Sequence, residues 1–228
     1  MTLIIGIRAK DGVAVGADRK ILRGMEVEYT HKYFIFHDSV IFVAEGLTGI
    51  VDDFYYILEY EISRRRGVET LYELKVLAED IIAELTRRYS ERVGSRSPAR
   101  VVLAGLENLS YGKANLYYVH SEGYGEHVKV ICTGHGGPYA LSLAKFLLRP
   151  EQLSVEEAAR RIAYIISWVA EDVDASVGGG ADVLFIRDRR TPVERVVEIL
   201  PSDIIEEIEK RVKEHKKNLP KILGLESS

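Results

Sequence analysis

Cysteine is nearly absent, with Cys132 standing alone in 228 residues. That excludes an intramolecular disulfide and any zinc site built on several thiolates. Glutamine is almost missing too: Gln152 is alone among many Glu, Lys and Arg, a balance that points toward a thermophilic source. No apolar run approaches the ~18 residues that a membrane-spanning helix needs. The opening, MTLIIGIRAKDG, has neither the basic start nor the long apolar stretch of a secretory signal, so the cytoplasm is the expected location. An excess of one charge sign is also lacking. The net charge is −4 with both signs interspersed, which leaves no footprint for nucleic acid and none for an anionic membrane surface. The histidines, His31, His37, His120, His127, His135 and His215, show no ligand spacing such as His-x-x-x-His, so neither a metal nor a cofactor is expected. Internal repeats, low-complexity tracts and linkers are missing as well.

What is present is an ordinary globular composition, 46% apolar and 29% charged. Residues 1–228 are expected to form a single domain, although the length alone also fits two smaller ones. Thr2 to Arg8 is apolar and rich in Ile. Lys10-Asp11-Gly12 supplies an Asp-Gly turn, and Val13 to Ala17 returns as a second strand. A polar loop with Gly24 and Glu26 follows, then a strand pair, Tyr33 to Phe36 and Val40 to Ala44. Val51, Phe54, Tyr55, Leu58 and Ile62 recur at helical spacing. Thr70 and Glu73 make a capping box ahead of Leu71, Leu74, Leu77, Ala78, Ile81 and Leu85. That second helix runs to about Tyr89, before the break Gly94-Ser95-Arg96-Ser97-Pro98.

Three strands are expected next, Arg100 to Gly105, Ala114 to His120 and Val128 to Thr133. A helix from Gly137 or Pro138 to Leu148 follows. Another is opened by Ser154 and Glu157 and carries Ala158, Ile162, Ile165, Ile166 and Val169. After Gly178-Gly179-Gly180 come the strands Asp182 to Ile186 and Val193 to Ile199. A last amphipathic helix, about 202–217, buries Ile204, Ile205, Ile208 and Val212. Clustered hairpin strands separated by helix pairs do not suit a βαβ parallel sheet. They suit an α+β fold in four layers, αββα, with two antiparallel sheets face to face between helix pairs. Sheets covered on both faces explain apolar runs such as VIFVA and DVLFI.

Several residues carry chemistry. Thr2 follows Met1 and precedes an apolar strand. Methionine aminopeptidase removes an initiator Met ahead of a small residue, which would leave a hydroxyl and a free α-amine on one residue. A threonine hydroxyl needs an adjacent base, and an α-amine, with a reference pKa of about 7.7–8.0, can supply one. Asp18, closing the first hairpin, fits either a turn residue or a charge partner. Lys32 fits either a solvated edge position or an inward cation paired with Asp18, which would favour deprotonation of the Thr2 hydroxyl. Gly46, after Glu45, fits either a tight turn or an N–H donor to a developing oxyanion. The triple glycine follows a helix and precedes a strand, the reverse of a phosphate-cradling loop, so it reads as a close backbone approach. Trp168 and the 13 tyrosines read as core and interface. The Glu/Lys-rich run 206–217 reads as a solvated helix face.

The set resembles a known family. TLIIGIRAKDGVAVGADRK, followed by HKYFIFHDSVIFVAEGLTGIVDDF, is similar to the opening of proteasome β-subunits and related two-ring bacterial peptidases, which are N-terminal-nucleophile (Ntn) hydrolases. CTGHGGPYALSLAKFLL, LSVEEAARRIAYII and DASVGGGADVLFI extend the resemblance to about residue 200. It implies that Thr2 is the nucleophile, Asp18 the carboxylate orienting a lysine, Lys32 that lysine, Gly46 the oxyanion-hole glycine, and Asp174 the aspartate holding the terminal amine. Lys20, His135 and Ser176 are candidates for support. It further implies threonine-type hydrolysis of peptides or unfolded proteins by a homo-oligomeric ring, with an ATP-dependent unfoldase or a second ring subunit as further partners.

The chain departs from the pattern at three points. His135 replaces a serine that supports the amine, and that imidazole either substitutes for the hydroxyl or alters the network. Val177 stands where a second supporting serine is expected, with Ser176 one position early. Glu45 stands where a small residue is usual. Two other readings therefore stay open, an Ntn amidase or transpeptidase with a specific substrate, and a non-catalytic ring subunit of the α type. The last ranks behind, because α-type chains carry an extra helix ahead of the first strand.

Overall fold

A computed structural model of the protein describes residues 2–23, 26–65, 67–93, 99–171, 173–192 and 196–222. Met1, Gly24, the Gly94-to-Pro98 break and the expected strand start at Val193 lie outside the described residues. The strands are β1 (Leu3–Ala9), β2 (Gly12–Asp18), β3 (Lys20–Arg23), β4 (Glu26–Tyr29), β5 (Tyr33–Phe36) and β6 (Val40–Gly46). After helices α1 (Thr48–Arg64) and α2 (Leu71–Val93) come β7 (Ala99–Leu106), β8 (Ala114–Val119), β9 (Gly125–His127) and β10 (Val130–Gly134). Helices α3 (Gly137–Leu147) and α4 (Val155–Ala170) lead to β11 (Ala181–Arg187), β12 (Val197–Ile199) and helix α5 (Ser202–Ile222).

Two five-stranded antiparallel sheets, ordered β10-β1-β2-β11-β12 and β5-β6-β7-β8-β9, form the middle of a four-layer αββα sandwich. Strand alternation divides the side chains among three apolar layers. Ile4, Val13, Val15, Ile41, Val43, Val102 and Leu116 fill the space between the sheets. Leu3, Ile5 and Ile7 pack with Ile162, Ile165 and Ile166 of α4 and with Ile205 and Ile208 of α5. Phe42 and Leu103 pack with Phe54 and Leu58 of α1 and with Leu74 and Leu77 of α2. A strand with both faces covered has no polar face, hence the unbroken burial of β2.

The first turn has its two loop residues at Lys10 and Asp11, with Gly12 already paired to Ala9. Gly12 answers crowding: a Cβ there would stand 2.3 Å from the carbonyl oxygen of Ile186. Asp11 Oδ1 accepts the Val155 N–H at 2.7 Å, at the start of α4. The same helix is capped by Ser154, whose hydroxyl accepts the Glu157 N–H at 3.3 Å. Ser154→Ala removes that acceptor but leaves Asp11 in place. We expect a loss of about 1 kcal/mol, read as a lower urea midpoint at unchanged slope.

Two expectations need correction. The loop expected between the first two strand pairs carries a hairpin, β3 with β4, that joins neither sheet. All four residues of β4 are exposed, so no apolar alternation marked it. The strand expected from Val128 to Thr133 is a crossing between sheets. Residues through His127 pair with β8, Val128 N–H still donates to Leu116, and from Val130 the chain pairs with β1 instead. No helix among the described residues is long and apolar enough to cross a membrane.

Candidate active site

At one end of the sandwich, β1 and β10 finish side by side, with Leu3 opposite Gly134. Thr2 sits just ahead of that pair and is 9% exposed. Its carbonyl accepts the Gly136 N–H at 3.3 Å. Gly134 has φ of 87°, and a Cβ on it would fall 2.1 Å from the Thr2 carbonyl oxygen. Only glycine fits so close to Thr2 in that conformation.

Asp18, the last residue of β2, is fully buried and bonded on both oxygens. Oδ1 accepts the Leu3 N–H at 2.9 Å and Lys32 Nζ at 2.7 Å. Oδ2 accepts the N–H groups of Lys20 at 3.2 Å and Gly178 at 3.1 Å. The carboxylate thus ties the residue next to Thr2 to the lysine on the same oxygen. Lys32 points inward, not to solvent as an edge lysine would. Burial pushes its pKa below the usual lysine value, and the charge and hydrogen bond of Asp18 offset only part of that. The triple glycine makes the close approach expected of it. Gly178 donates to Asp18 and its carbonyl accepts from Arg19 and Lys20, while a Cβ on Gly179 would strike the Tyr29 ring at 2.2 Å.

Two cavities open on Thr2. One of about 470 Å³ is lined by Thr2, Lys32, Gly46, Phe34, Tyr55 and Asp52, among others. The other, about 320 Å³, is lined by Thr2, Glu45, Gly46, Leu47, Arg100, Gly134 and His135. Gly46 borders both, at the end of β6, with φ of 145°. Its backbone occupies a region that side chains rarely enter.

The remaining candidates divide. Asp174 is buried and its Oδ1 accepts both the N–H and the hydroxyl of Ser176, at 2.9 and 2.6 Å. Its Oδ2 is buried with no hydrogen-bond partner among the described residues, and it makes no hydrogen bond to Thr2. The link to Thr2 is indirect: Val177 packs where a Cβ on Gly136 would stand, 2.8 Å from Val177 Cγ2, and Gly136 donates to Thr2. Lys20 Nζ reaches the Ala175 carbonyl in that same segment. His135 is exposed on the turn before α3 and lines the smaller cavity with Thr2, with no hydrogen bond from its ring to a described residue.

Sequence reasoning treated Glu45 as a departure only, yet it is 7% exposed and lines a cavity with Thr2. Its Oε1 accepts the Thr133 hydroxyl at 2.5 Å and Arg100 at 3.4 Å. Burial raises its pKa, with Thr133 and Arg100 opposing. The signal was available in β6, where odd-numbered residues face the other sheet. A second unread cluster joins buried Asp182 to Arg19 and to His31 Nδ1, the latter at 2.8 Å, beside the larger cavity. Among the described residues, no group of three or more His, Cys, Asp and Glu is arranged to hold a metal ion.

Comparison with known proteins gives a consistent picture. The family model described as proteasome subunit matches residues 2–186. A proteasome subunit alpha from Methanococcus maripaludis is 24% identical over 233 residues, covering 100% of this chain and 86% of that protein. A proteasome subunit beta 1 from Pyrobaculum arsenaticum is 27% identical over 197 residues, covering 83% and 91%. Among solved structures, Anbu (ancestral beta-subunit) from Yersinia bercovieri superposes with a TM-score of 0.78 at 14% identity, covering 99% of this chain and 98% of that one.

Proposed function

Because the chain belongs to the proteasome subunit family, we propose that it is a threonine peptidase of the β-subunit kind, acting through Thr2 once Met1 is removed. The observation that carries this reading is the buried Asp18–Lys32 pair, one oxygen of which also holds the N–H of the residue after Thr2. A lysine buried this deeply against its natural hydration is costly for stability alone. Lys32 lines the larger cavity together with Thr2, whose hydroxyl a nearby cation would make easier to deprotonate.

In the reaction proposed, the Thr2 α-amine takes the hydroxyl proton and Thr2 Oγ1 bonds to a peptide carbonyl carbon. The oxyanion forms near Gly46, whose N–H is the candidate donor. The C–N bond then breaks, the amine product leaves, and water hydrolyses the Thr2 ester. Asp174 is assigned to the α-amine, and the support for this is its buried, unpartnered Oδ2. Ser176 and Lys20 hold the Asp174 segment in place. Peptides or unfolded chains are the substrate class, the working form is a homo-oligomeric ring, and an unfoldase or second ring subunit is its further partner.

The first test is intact mass followed by labelling. The natively expressed protein should lack Met1, and a peptide epoxyketone or β-lactone should add its mass at Thr2. Retained Met1 with no labelling would support the other family branch, a non-catalytic ring subunit, which the likeness to an alpha subunit favours. Labelling without degradation of unfolded protein would favour an amidase or transpeptidase, a reading motivated by His135 and Val177 standing where supporting serines are expected.

A further inference from the structure

The open end of the layer between the sheets holds a carboxyl group that the reaction above leaves unused. Strand alternation puts it there. Ile41 and Val43 face the opposite sheet, and so does Glu45 in the same strand. Val102 of β7 sets Arg100 on that side, and Ile4 sets Thr2. Ile131, packed against this same layer, does the same for Thr133. Four polar side chains therefore end an otherwise apolar layer. Glu45 is the register partner of Arg100. Its Oε1 is bonded to Thr133, whose hydroxyl also meets Tyr118 Oη at 3.2 Å.

The other carboxyl oxygen is placed differently. Among the described residues nothing hydrogen-bonds to Oε2. A Cβ built on Gly134 would lie 2.8 Å from Oε2 and 2.1 Å from the Thr2 carbonyl oxygen, so both abut the same glycine. Glu45 and Thr2 line the 320 Å³ cavity together, and Lys32 is not in its lining. Peptide hydrolysis needs two proton movements besides that of the Thr2 hydroxyl, one onto the departing nitrogen and one off the attacking water. A single α-amine would have to serve all of them.

We propose that Glu45 gives a proton to the departing amine and then takes one from the hydrolytic water, leaving the Thr2 α-amine to serve the hydroxyl alone. This rests on the peptidase reading of Thr2. The balance closes. As the C–N bond breaks, nitrogen gains the Glu45 proton and Glu45 becomes a carboxylate. Water adds to the ester carbonyl and its proton returns to Glu45. The ester C–O bond breaks and Thr2 Oγ1 recovers its proton from the α-ammonium. The carboxyl must be protonated in the first step, and burial raises its pKa in that direction. The groups that face it are Arg100 from β7, Thr133 from β10, Tyr118 from β8 and exposed His135; Thr133, Arg100 and the positive charge of the chain's amino terminus pull its pKa back down.

The test compares an unactivated peptide amide with the nitrophenyl ester of the same acyl group, whose leaving group departs unprotonated. In Glu45→Gln, amide turnover should fall roughly 10²–10³-fold, the scale of a lost general acid. The ester burst should stay within a few-fold of wild type. The wild-type amide rate should fall as pH rises through the carboxyl pKa, and that limb should vanish in Glu45→Gln. Thr133→Val removes a hydrogen bond that lowers this pKa, so it should move the limb to higher pH. Equal losses on amide and ester, no loss on either, or a limb that persists in Glu45→Gln would overturn the proposal. Should Glu45→Gln fail to fold, an unmoved limb in Thr133→Val would overturn it instead. A wild type that neither labels at Thr2 nor cleaves the amide removes the peptidase reading and this inference together; an active wild type with substrate-blind Glu45→Gln removes this inference alone.

Discussion

Thr2→Ala should lower peptide turnover by about 10⁴-fold or more, the loss seen when a covalent nucleophile is deleted from an otherwise intact site. Alanine is also small, so the proposed removal of the preceding Met should occur in the variant as well and the terminal amine should be retained. The substitution therefore isolates the hydroxyl. Stability should change little, since β1 from Leu3 onward and the Asp18 hydrogen bonds are untouched. Thr2→Ser keeps an oxygen at the same place and should keep measurable turnover and probe labelling. Steady-state hydrolysis of a peptide amide, read with intact mass after β-lactone treatment, checks both. Turnover undiminished in Thr2→Ala would move the nucleophile elsewhere in the chain.

Asp18→Ala should damage stability and activity together. Four donors, three backbone N–H groups and the Lys32 ammonium, lose the carboxylate at a fully buried position, and of these the Lys20 N–H keeps the Gly178 carbonyl as a second acceptor. Removing one member of a buried ion pair costs about 3–5 kcal/mol, because the surviving charge is left uncompensated. Urea denaturation reads that loss directly. Lys32 responds chemically as well. Burial already holds its pKa down, and Asp18 is the main influence raising it, so without Asp18 the ammonium gives up its proton more readily. On the proposed mechanism the Thr2 hydroxyl would then lack its activating cation. Adding Lys32→Met to Asp18→Ala should restore part of the stability and none of the activity, a coupling that a double-mutant cycle measures. Additive losses would mean the two side chains do not act as a pair.

The layered architecture was legible because the elements that build it bury whole faces. Leu3, Ile5 and Ile7, and Phe54, Leu58 and Ile62, advertise their partners by period alone. The capping pattern at Ser154 was legible for a local reason, since an N-cap and its third residue are fixed by backbone geometry. The crossing at Val128–Lys129 was not. Its apolar residues continue on both sides, and which sheet each half joins depends on strands far away in sequence. The hairpin β3–β4 was missed because it buries no face at all. In the site, Thr2, Asp18, Lys32 and Gly46 were singled out through motif order, and the structure brings these four residues together at one end of the sandwich. Glu45 was noted only as a departure, since its buried contact is with Thr133, which sits 88 positions away.

The carboxylate of Asp18 collects partners from residues 3, 20, 32 and 178, nearly the full span of the sequence. Three of these partners lie within 15 positions of Asp18, but the contact with Gly178 closes a loop of 160 positions and carries the largest loop-closure entropy of the four. A nascent or partly folded copy holds every reactive group and none of the arrangement. On the proposed mechanism such a chain stays silent toward its neighbours until the Gly178 segment docks.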